Sequence, residues 1–373
     1  MKKSLHLFLA VMAVLVLVVS ACAPATPATT EPPATQAPTE VPPTEAPATE
    51  APTEAPATEA PTAAPPPVCD KLADAPAAPA AGELGSADNP IVITFVPSGD
   101  TGKITTAGTA IADCLSQMTG LNFKMEVGTT FAASIEAMGA EKAQIGFLNT
   151  FSALLAGVKY GVTPALVAIR KYATNDVDPD KNLEGQLEPF YKGQFIANAD
   201  SGISSFADLK GKTFCFVDPN STSGYIVPRI ILAANGINPD TDFSATQNAG
   251  SHNNVAIAVY KGDCDAGVTY INVLTDSSAN LAAQYPDITD KVKVFAVTPP
   301  IPNDGMQFIK SLSPDLKKVV VEGMMAMAND PGGKAVLKSL YNYDSFQEVD
   351  TTFYNDFLAV LQKAGVDPAS LVK

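Results

Sequence analysis

The sequence predicts two α/β lobes, each a mostly parallel sheet covered by helices, with a ligand cleft where the chain crosses between them. Three observations carry this. From Ile91 onward, short runs of Val, Ile, Phe and Leu alternate with amphipathic stretches of helical length, the pattern of strands buried on both faces. The alternation comes in two separate series. About 300 residues remain once an N-terminal segment that cannot pack a core is set aside, enough for two substantial cores. The first series reads as strands over 91–96, 123–127 and 144–148 and helices over 104–118, 132–139 and 151–159. The second reads as strands over 195–197, 214–217 and 266–270 and helices over 225–234 and 253–260. The last 60 or so residues read as mainly helical, clearest over 314–329 and 352–364. The chain is expected to cross between lobes near 190–194 and to return near 294–304. Lobe one is then 68–192, lobe two 193–294, and 295–373 returns to lobe one with the C-terminal helices.

Two further segments precede the lobes. Lys2 and Lys3, an apolar run over 5–19, and Val19-Ser-Ala-Cys22 form a bacterial lipoprotein signal, too short for a membrane span and followed by small residues. Residues 1–21 are expected to be removed, leaving Cys22 as the lipidated first residue and the only attachment to the membrane. Residues 22–67 read as a tether. Positions 23–67 hold 14 of the 31 prolines, six glutamates and no Lys or Arg, and Glu45 to Thr53 is repeated without change as Glu54 to Thr62. Such a composition gives an extended, self-repelling spacer of up to about 140 Å at ~3.1 Å per residue.

The formal net charge of −15 becomes −17 when Lys2 and Lys3 leave with the signal, and six of those negatives belong to the tether. This argues against nucleic acid as a partner. An anionic ligand would have to be held by directed neutral hydrogen bonds and helix termini.

After Cys22, four cysteines remain, which allow three pairings. Cys215 starts one lobe-two strand and Cys264 precedes another, so Cys215–Cys264 is the first choice, leaving Cys69 to tie the entering segment to Cys114 on the first helix. Free buried thiols are the alternative. One histidine remains after the signal and no CxxC occurs, so neither a metal site nor a cofactor is expected.

The most informative stretch is Asp218-Pro-Asn-Ser-Thr-Ser-Gly-Tyr225, with Gly250-Ser-His-Asn-Asn254 following it. The first places Ser221, Thr222 and Ser223 between an apolar strand and an apolar helix, where free backbone N–H groups and the helix dipole favour an oxyanion. The second puts His252 at another helix start. Each run alone also reads as an ordinary helix cap or a locally satisfied histidine.

At these runs, at Ser205-Phe-Ala-Asp-Leu-Lys-Gly-Lys212 and at Pro299-Pro-Ile-Pro-Asn-Asp304, the chain resembles the phosphate/phosphite/phosphonate-binding proteins of ABC importers, over roughly 91–361. The resemblance implies a type II-like periplasmic-binding-protein fold with the ligand between lobes, an ABC permease as partner, a monomer, and no catalysis. It further implies that Ser221, Thr222, Ser223 and His252 surround the oxygens of a small phosphorus oxyanion. Tyr191 is similar to a ligand-reaching family tyrosine, with Tyr160 and Tyr172 as alternatives. Asp304 resembles a family aspartate near the hinge, which would accept a ligand proton or amine and repel a fully ionised competitor. Asn149 and Thr150, at the end of one strand and the start of a helix, face the same cleft by position, with a plain cap as the other reading of Asn149. Phe131 stands where aminoalkylphosphonate binders show a tyrosine before Ile135-Glu-Ala-Met138. Asn272 stands where a carboxylate for an amine is expected. Both departures favour a smaller ligand such as phosphite, phosphate or methylphosphonate.

Other readings are a sulfonate or thiamine-precursor binder of the same fold, a sensor-associated receptor, and, more remotely, a serine hydrolase using Ser221 or Ser223 with His252. The last lacks the G-x-S-x-G spacing. Gly99-Asp-Thr-Gly-Lys103 is a truncated phosphate loop with Ile104 in place of the magnesium-binding hydroxyl, which excludes a nucleotide site there.

Overall fold

In the first lobe β1 (Ile91–Phe95), β2 (Phe123–Val127) and β3 (Ile145–Phe147) are parallel, linked by α1 (Thr101–Thr119) and α2 (Phe131–Gly139). A computed structural model describes residues 64–371. The signal, Cys22 and nearly all of the tether lie outside the described residues. After α3 (Thr150–Tyr160) and β4 (Thr163–Lys171), a loop leads through β5 (Leu187–Glu188) and β6 (Phe190–Tyr191) into the second lobe. That loop is pinned to the hinge by Lys192, whose buried ammonium bonds Asp178 (2.7 Å) and Asp180 (2.6 Å).

The second lobe contains β7 (Gly193–Asn198), β8 (Thr213–Phe216), β9 (Ala245–Asn248), β10 (Ala266–Tyr270) and β11 (Val292–Val297), with α4 (Val227–Ala234) and α5 (His252–Lys261) as its main helices. The chain returns through β12 (Ile301–Pro302), which pairs antiparallel with β6, and completes the first sheet with β13 (Gly305–Phe308) and β14 (Ser345–Glu348). The short helices Leu281–Gln284 (α6) and Ile288–Lys291 (α7) precede β11, and α8 (Pro314–Asn329), α9 (Pro331–Tyr341) and α10 (Asn355–Lys363) cover lobe one.

The sheets run β14-β4-β13-β3-β1-β2, with β5 beside β4, and β11-β7-β10-β8-β9. The expected two α/β lobes are present. The sheets themselves are mixed where mostly parallel sheets were expected. In each, one strand arriving from the hinge, β13 or β7, is inserted antiparallel between neighbours that run the other way. The parallel threes β2-β1-β3 and β9-β8-β10 thus aim their carboxyl ends and following helix starts at the interlobe cleft, the usual ligand position in α/β sheets.

Three elements differ from expectation for local reasons. The helix expected from Tyr225 begins earlier, as a π turn over Thr222–Ile226 that continues into α4. Pro228 has no N–H for the Gly224 carbonyl, so that oxygen accepts from Val217 N–H (3.0 Å) and ties the turn to the strand. Helix α9, within the segment expected to be mainly helical but given no bounds there, starts at Pro331, where Asp330 caps Gly333 N–H (2.8 Å). The last helix starts at Asn355, since Thr352 bonds the Asp350 carboxylate through its amide and hydroxyl and forms a turn instead.

Both expected disulfides are present, Cys69–Cys114 and Cys215–Cys264. Between the lobes a small apolar cluster of Phe151, Ile226, Val227, Ile301, Phe357 and Leu361 seats α10 against the hinge. Among the described residues no helix is long and apolar enough to cross a membrane.

Candidate functional site

Asp218 Oδ1 accepts Asn220 N–H (2.8 Å), and Ser221 N–H donates to Asp218 O (2.8 Å), so the chain reverses directly after β8. Ser221 Oγ then caps the turn by accepting Gly224 N–H (3.1 Å). Glycine is required at 224: a Cβ there would lie 2.3 Å from Val217 Cγ2. Ser221, Thr222 and Ser223 are each about 1% exposed. Because Ser221 Oγ already accepts, its hydroxyl proton is left to donate, and the first N–H groups of the turn have no preceding helical carbonyl to bond.

His252 is positioned from three sides. Its backbone N–H donates to Ser98 O of lobe one (3.0 Å), Ser251 caps its helix, and ring Nδ1 accepts Tyr270 N–H (3.0 Å). A neutral imidazole that accepts at Nδ1 carries its proton on Nε2. Burial holds the ring neutral, pushing its pKa down to about 3. Nε2–H is therefore a fixed donor, 3.5 Å from Ser221 Oγ.

The lobes meet at Thr222. Its Oγ1 accepts both Asn149 Nδ2 (2.9 Å) and Phe151 N–H (2.9 Å), leaving the hydroxyl proton to point elsewhere. Asn149 Nδ2 also donates to Asn220 O (2.8 Å), and its side chain does not cap α3, so this residue is an interlobe clasp and no plain cap. Tyr191 OH donates to Ser223 Oγ (3.2 Å), and burial, reinforced by Asp304, pushes that phenol up to about 12, so it stays protonated.

These groups line one cavity of about 90 Å³ between the lobes, against ~10–15 Å³ for a single water. Of the expected site residues, Phe131, Asn149, Tyr191, Ser221, Thr222, Ser223, His252 and Asp304 line it, as does Tyr172. Thr150 does not. As the first residue of α3 it turns toward the hinge and donates its hydroxyl to Pro302 O (2.7 Å). Tyr160 bonds Glu136 elsewhere.

Asp304 differs from the expected lone acceptor. Its Oδ1 pairs with Arg170 Nη2 (2.6 Å) and its Oδ2 accepts Tyr343 OH (2.8 Å). Arg170 also donates to Asn303 Oδ1 (2.6 Å) and Tyr341 O (3.2 Å), and lies near the rings of Tyr191 and Tyr343. Burial opposes its charge, but Asp304 and Tyr343 outweigh that and hold the guanidinium above its ordinary pKa. Asn272 lines the cavity as expected, yet four residues on Asp276 lines it too, 6% exposed, accepting Ser278 N–H (2.8 Å). The cleft therefore keeps a carboxylate in this region. Sequence reasoning missed both Arg170 and Asp276. The signal available for the first was one cation ending the apolar run Ala165-Leu-Val-Ala-Ile169.

Residues 93–354 match the family described as ABC transporter, phosphonate, periplasmic substrate-binding protein. A phosphate-import protein from Mycolicibacterium smegmatis is 29% identical over 187 residues, covering 48% of this chain and 54% of that protein. A phosphonates-binding periplasmic protein from Escherichia coli is 29% identical over 224 residues, covering 57% and 64%. The chain thus matches little more than half to just under two thirds of the length of these relatives. Among solved structures, a binding component of an ABC phosphonate transporter from Pseudomonas aeruginosa aligns with TM-score 0.62 at 24% identity over 74% of this chain and 87% of that one. A Prochlorococcus marinus protein in complex with methylphosphonate aligns with TM-score 0.61 at 18% identity over 74% and 98%. These two likenesses establish the shared fold, and the match over 93–354 adds the lineage: the chain belongs to the phosphonate-binding family of ABC-transporter periplasmic substrate-binding proteins.

Proposed function

We propose that this chain is an extracytoplasmic lipoprotein that captures a small phosphorus oxyanion, a phosphonate, phosphite or phosphate, between its lobes and delivers it to an ABC permease. The observation that carries this is the set of neutral donors converging on one buried cavity. It comprises the hydroxyls of Ser221, Thr222 and Ser223 and the Nε2–H of His252, with the Tyr191 phenol donating to Ser223 Oγ and so leaving that hydroxyl's proton for the ligand. Directed neutral donors hold an oxyanion in a strongly acidic protein without relying on net charge. The relatives agree with this reading: one is a phosphate-import protein, one a phosphonates-binding protein, and the Prochlorococcus protein is in complex with methylphosphonate.

In this reading residues 68–192 and 295–373 form lobe one and 193–294 lobe two, and the Thr222 contacts form as the lobes close. Cys22 carries the lipid, and the Pro/Thr/Ala/Glu tether gives the lobes reach to the permease. Hydrolysis by Ser221 is opposed by the tautomer of His252, whose only nitrogen near that hydroxyl already bears a proton and cannot act as general base.

The test is thermal denaturation in phosphate, phosphite, methylphosphonate, 2-aminoethylphosphonate, sulfate or taurine. A ligand at 100 times its dissociation constant stabilises by about 2.7 kcal/mol, a shift of several degrees. A shift with at least one phosphorus compound is expected, and a shift with taurine alone would reject the reading.

A further inference from the structure

We propose that Arg170 sets the charge of ligand this cleft accepts, by neutralising Asp304 so that a doubly ionised, amine-free phosphorus oxyanion is tolerated. The inference rests on the phosphorus-oxyanion reading above. An aspartate alone beside an oxyanion would favour a ligand bearing a proton or an amine and would repel the dianion. Here the carboxylate is committed on both oxygens, to Arg170 Nη2 at 2.6 Å and Tyr343 OH at 2.8 Å. The guanidinium lines the same cavity and is held by Asn303 and by the Tyr341 carbonyl, so the pair is fixed in place with no net charge. Arg170 acts through Asp304 and is a positioning residue.

The other titratable groups near the pair do not mask the effect. Tyr191, Tyr341, Tyr343 and Tyr354 are all buried phenols whose pKa values are pushed up, and His252 stays neutral. Lys171, Asp100 and Asp276 are the remaining charged residues lining the cavity, and Glu188 lies opposite Arg170 in the β4–β5 pairing. Asp276 is bonded by neutral donors, the Ser278 N–H and, more weakly, the Asn342 amide, and is the same in every variant compared below, so it does not alter the differences between them.

Calorimetric titration of the wild-type protein, Arg170→Gln and the double variant Arg170→Gln/Asp304→Asn with phosphate, methylphosphonate and 2-aminoethylphosphonate from about pH 6 to 8 tests this. Wild-type affinity is expected to rise with pH as the ligand loses its second proton. Arg170→Gln, with an uncompensated buried carboxylate, is expected to bind at least about 30-fold more weakly at the upper pH and to lose that rise. The double variant removes both charges and is expected to recover to within about fivefold of wild type, a rescue that a merely structural arginine would not give. If Arg170→Gln does not fold, the wild-type pH profile and the double variant still decide. A double variant as weak as Arg170→Gln, wild-type binding that weakens as pH rises, or tighter binding of 2-aminoethylphosphonate than of methylphosphonate would overturn the inference. Wild-type protein that binds none of these ligands would sink the phosphorus-oxyanion reading first, and this inference with it.

Discussion

Replacing Thr222 by valine keeps the shape of a side chain that is about 1% exposed and deletes one oxygen. That oxygen accepts two hydrogen bonds from lobe one, from Asn149 Nδ2 and Phe151 N–H, both at 2.9 Å. Asn149 retains a second acceptor in Asn220 O at 2.8 Å, but Phe151 N–H loses the acceptor it has here. Leaving one buried donor unsatisfied costs about 1–3 kcal/mol, and a lost hydrogen bond to a charged ligand adds about 1.5–3 kcal/mol. The closed, liganded state should therefore weaken by roughly 2.5–6 kcal/mol, on the order of 10²- to 10⁴-fold in dissociation constant. Titration calorimetry of Thr222→Val against the tightest phosphorus ligand measures this, with Thr222→Ser, which keeps the hydroxyl, as the control. A Thr222→Val protein binding within about threefold of wild type would refute the reasoning that one hydroxyl joins ligand binding to interlobe contact.

Other outcomes follow from the same geometry. His252 has its folded pKa depressed to about 3, below the ordinary 6.5, so the unfolded chain takes up the proton first. Its contribution is complete above about pH 6.5 and is lost by roughly 1.4 kcal/mol per unit as pH falls below that. Urea midpoints should drop between about pH 7 and 5, and His252→Gln should flatten the drop; an unchanged slope would count against a buried neutral ring. Gly224→Ala forces a Cβ to within 2.3 Å of Val217, and should lower stability by about 1–3 kcal/mol and weaken ligand binding in the same sample, read by thermal unfolding and titration. The disulfides close segments with sequence separations of 45 and 49, so each should be worth about 4 kcal/mol in the chain-entropy picture. Unfolding with and without reductant measures their sum, and equal stabilities would contradict it.

What the sequence made legible was local. The hydroxyl run and His252 sit at helix starts whose cap chemistry is written in adjacent residues, so their place at strand ends follows from short-range rules. The cysteine pairing was legible because β8 and β10 read clearly as strands, and those strands lie side by side. The hinge was harder. Its strands β6 and β12 are two residues each, too short for any periodicity to register, and they bring in the reversed strands that make both sheets mixed. Arg170 and Asp304 lie 134 residues apart, and neither carries a local mark of the other. Thr150 shows the opposite failure: a helix-start position faced the cleft by rule, yet a nearby hinge carbonyl took its hydroxyl.

Calorimetric titration of the wild-type protein and His252→Ala with phosphite, phosphate, methylphosphonate and taurine tests the central claim most directly. The donor set predicts one-to-one binding of at least one phosphorus oxyanion. It also predicts a loss of about ten- to a hundredfold when the fixed Nε2–H is removed, the worth of one hydrogen bond to a charged group. Absence of binding by all three phosphorus ligands, preference for taurine, or an affinity indifferent to His252 would contradict it.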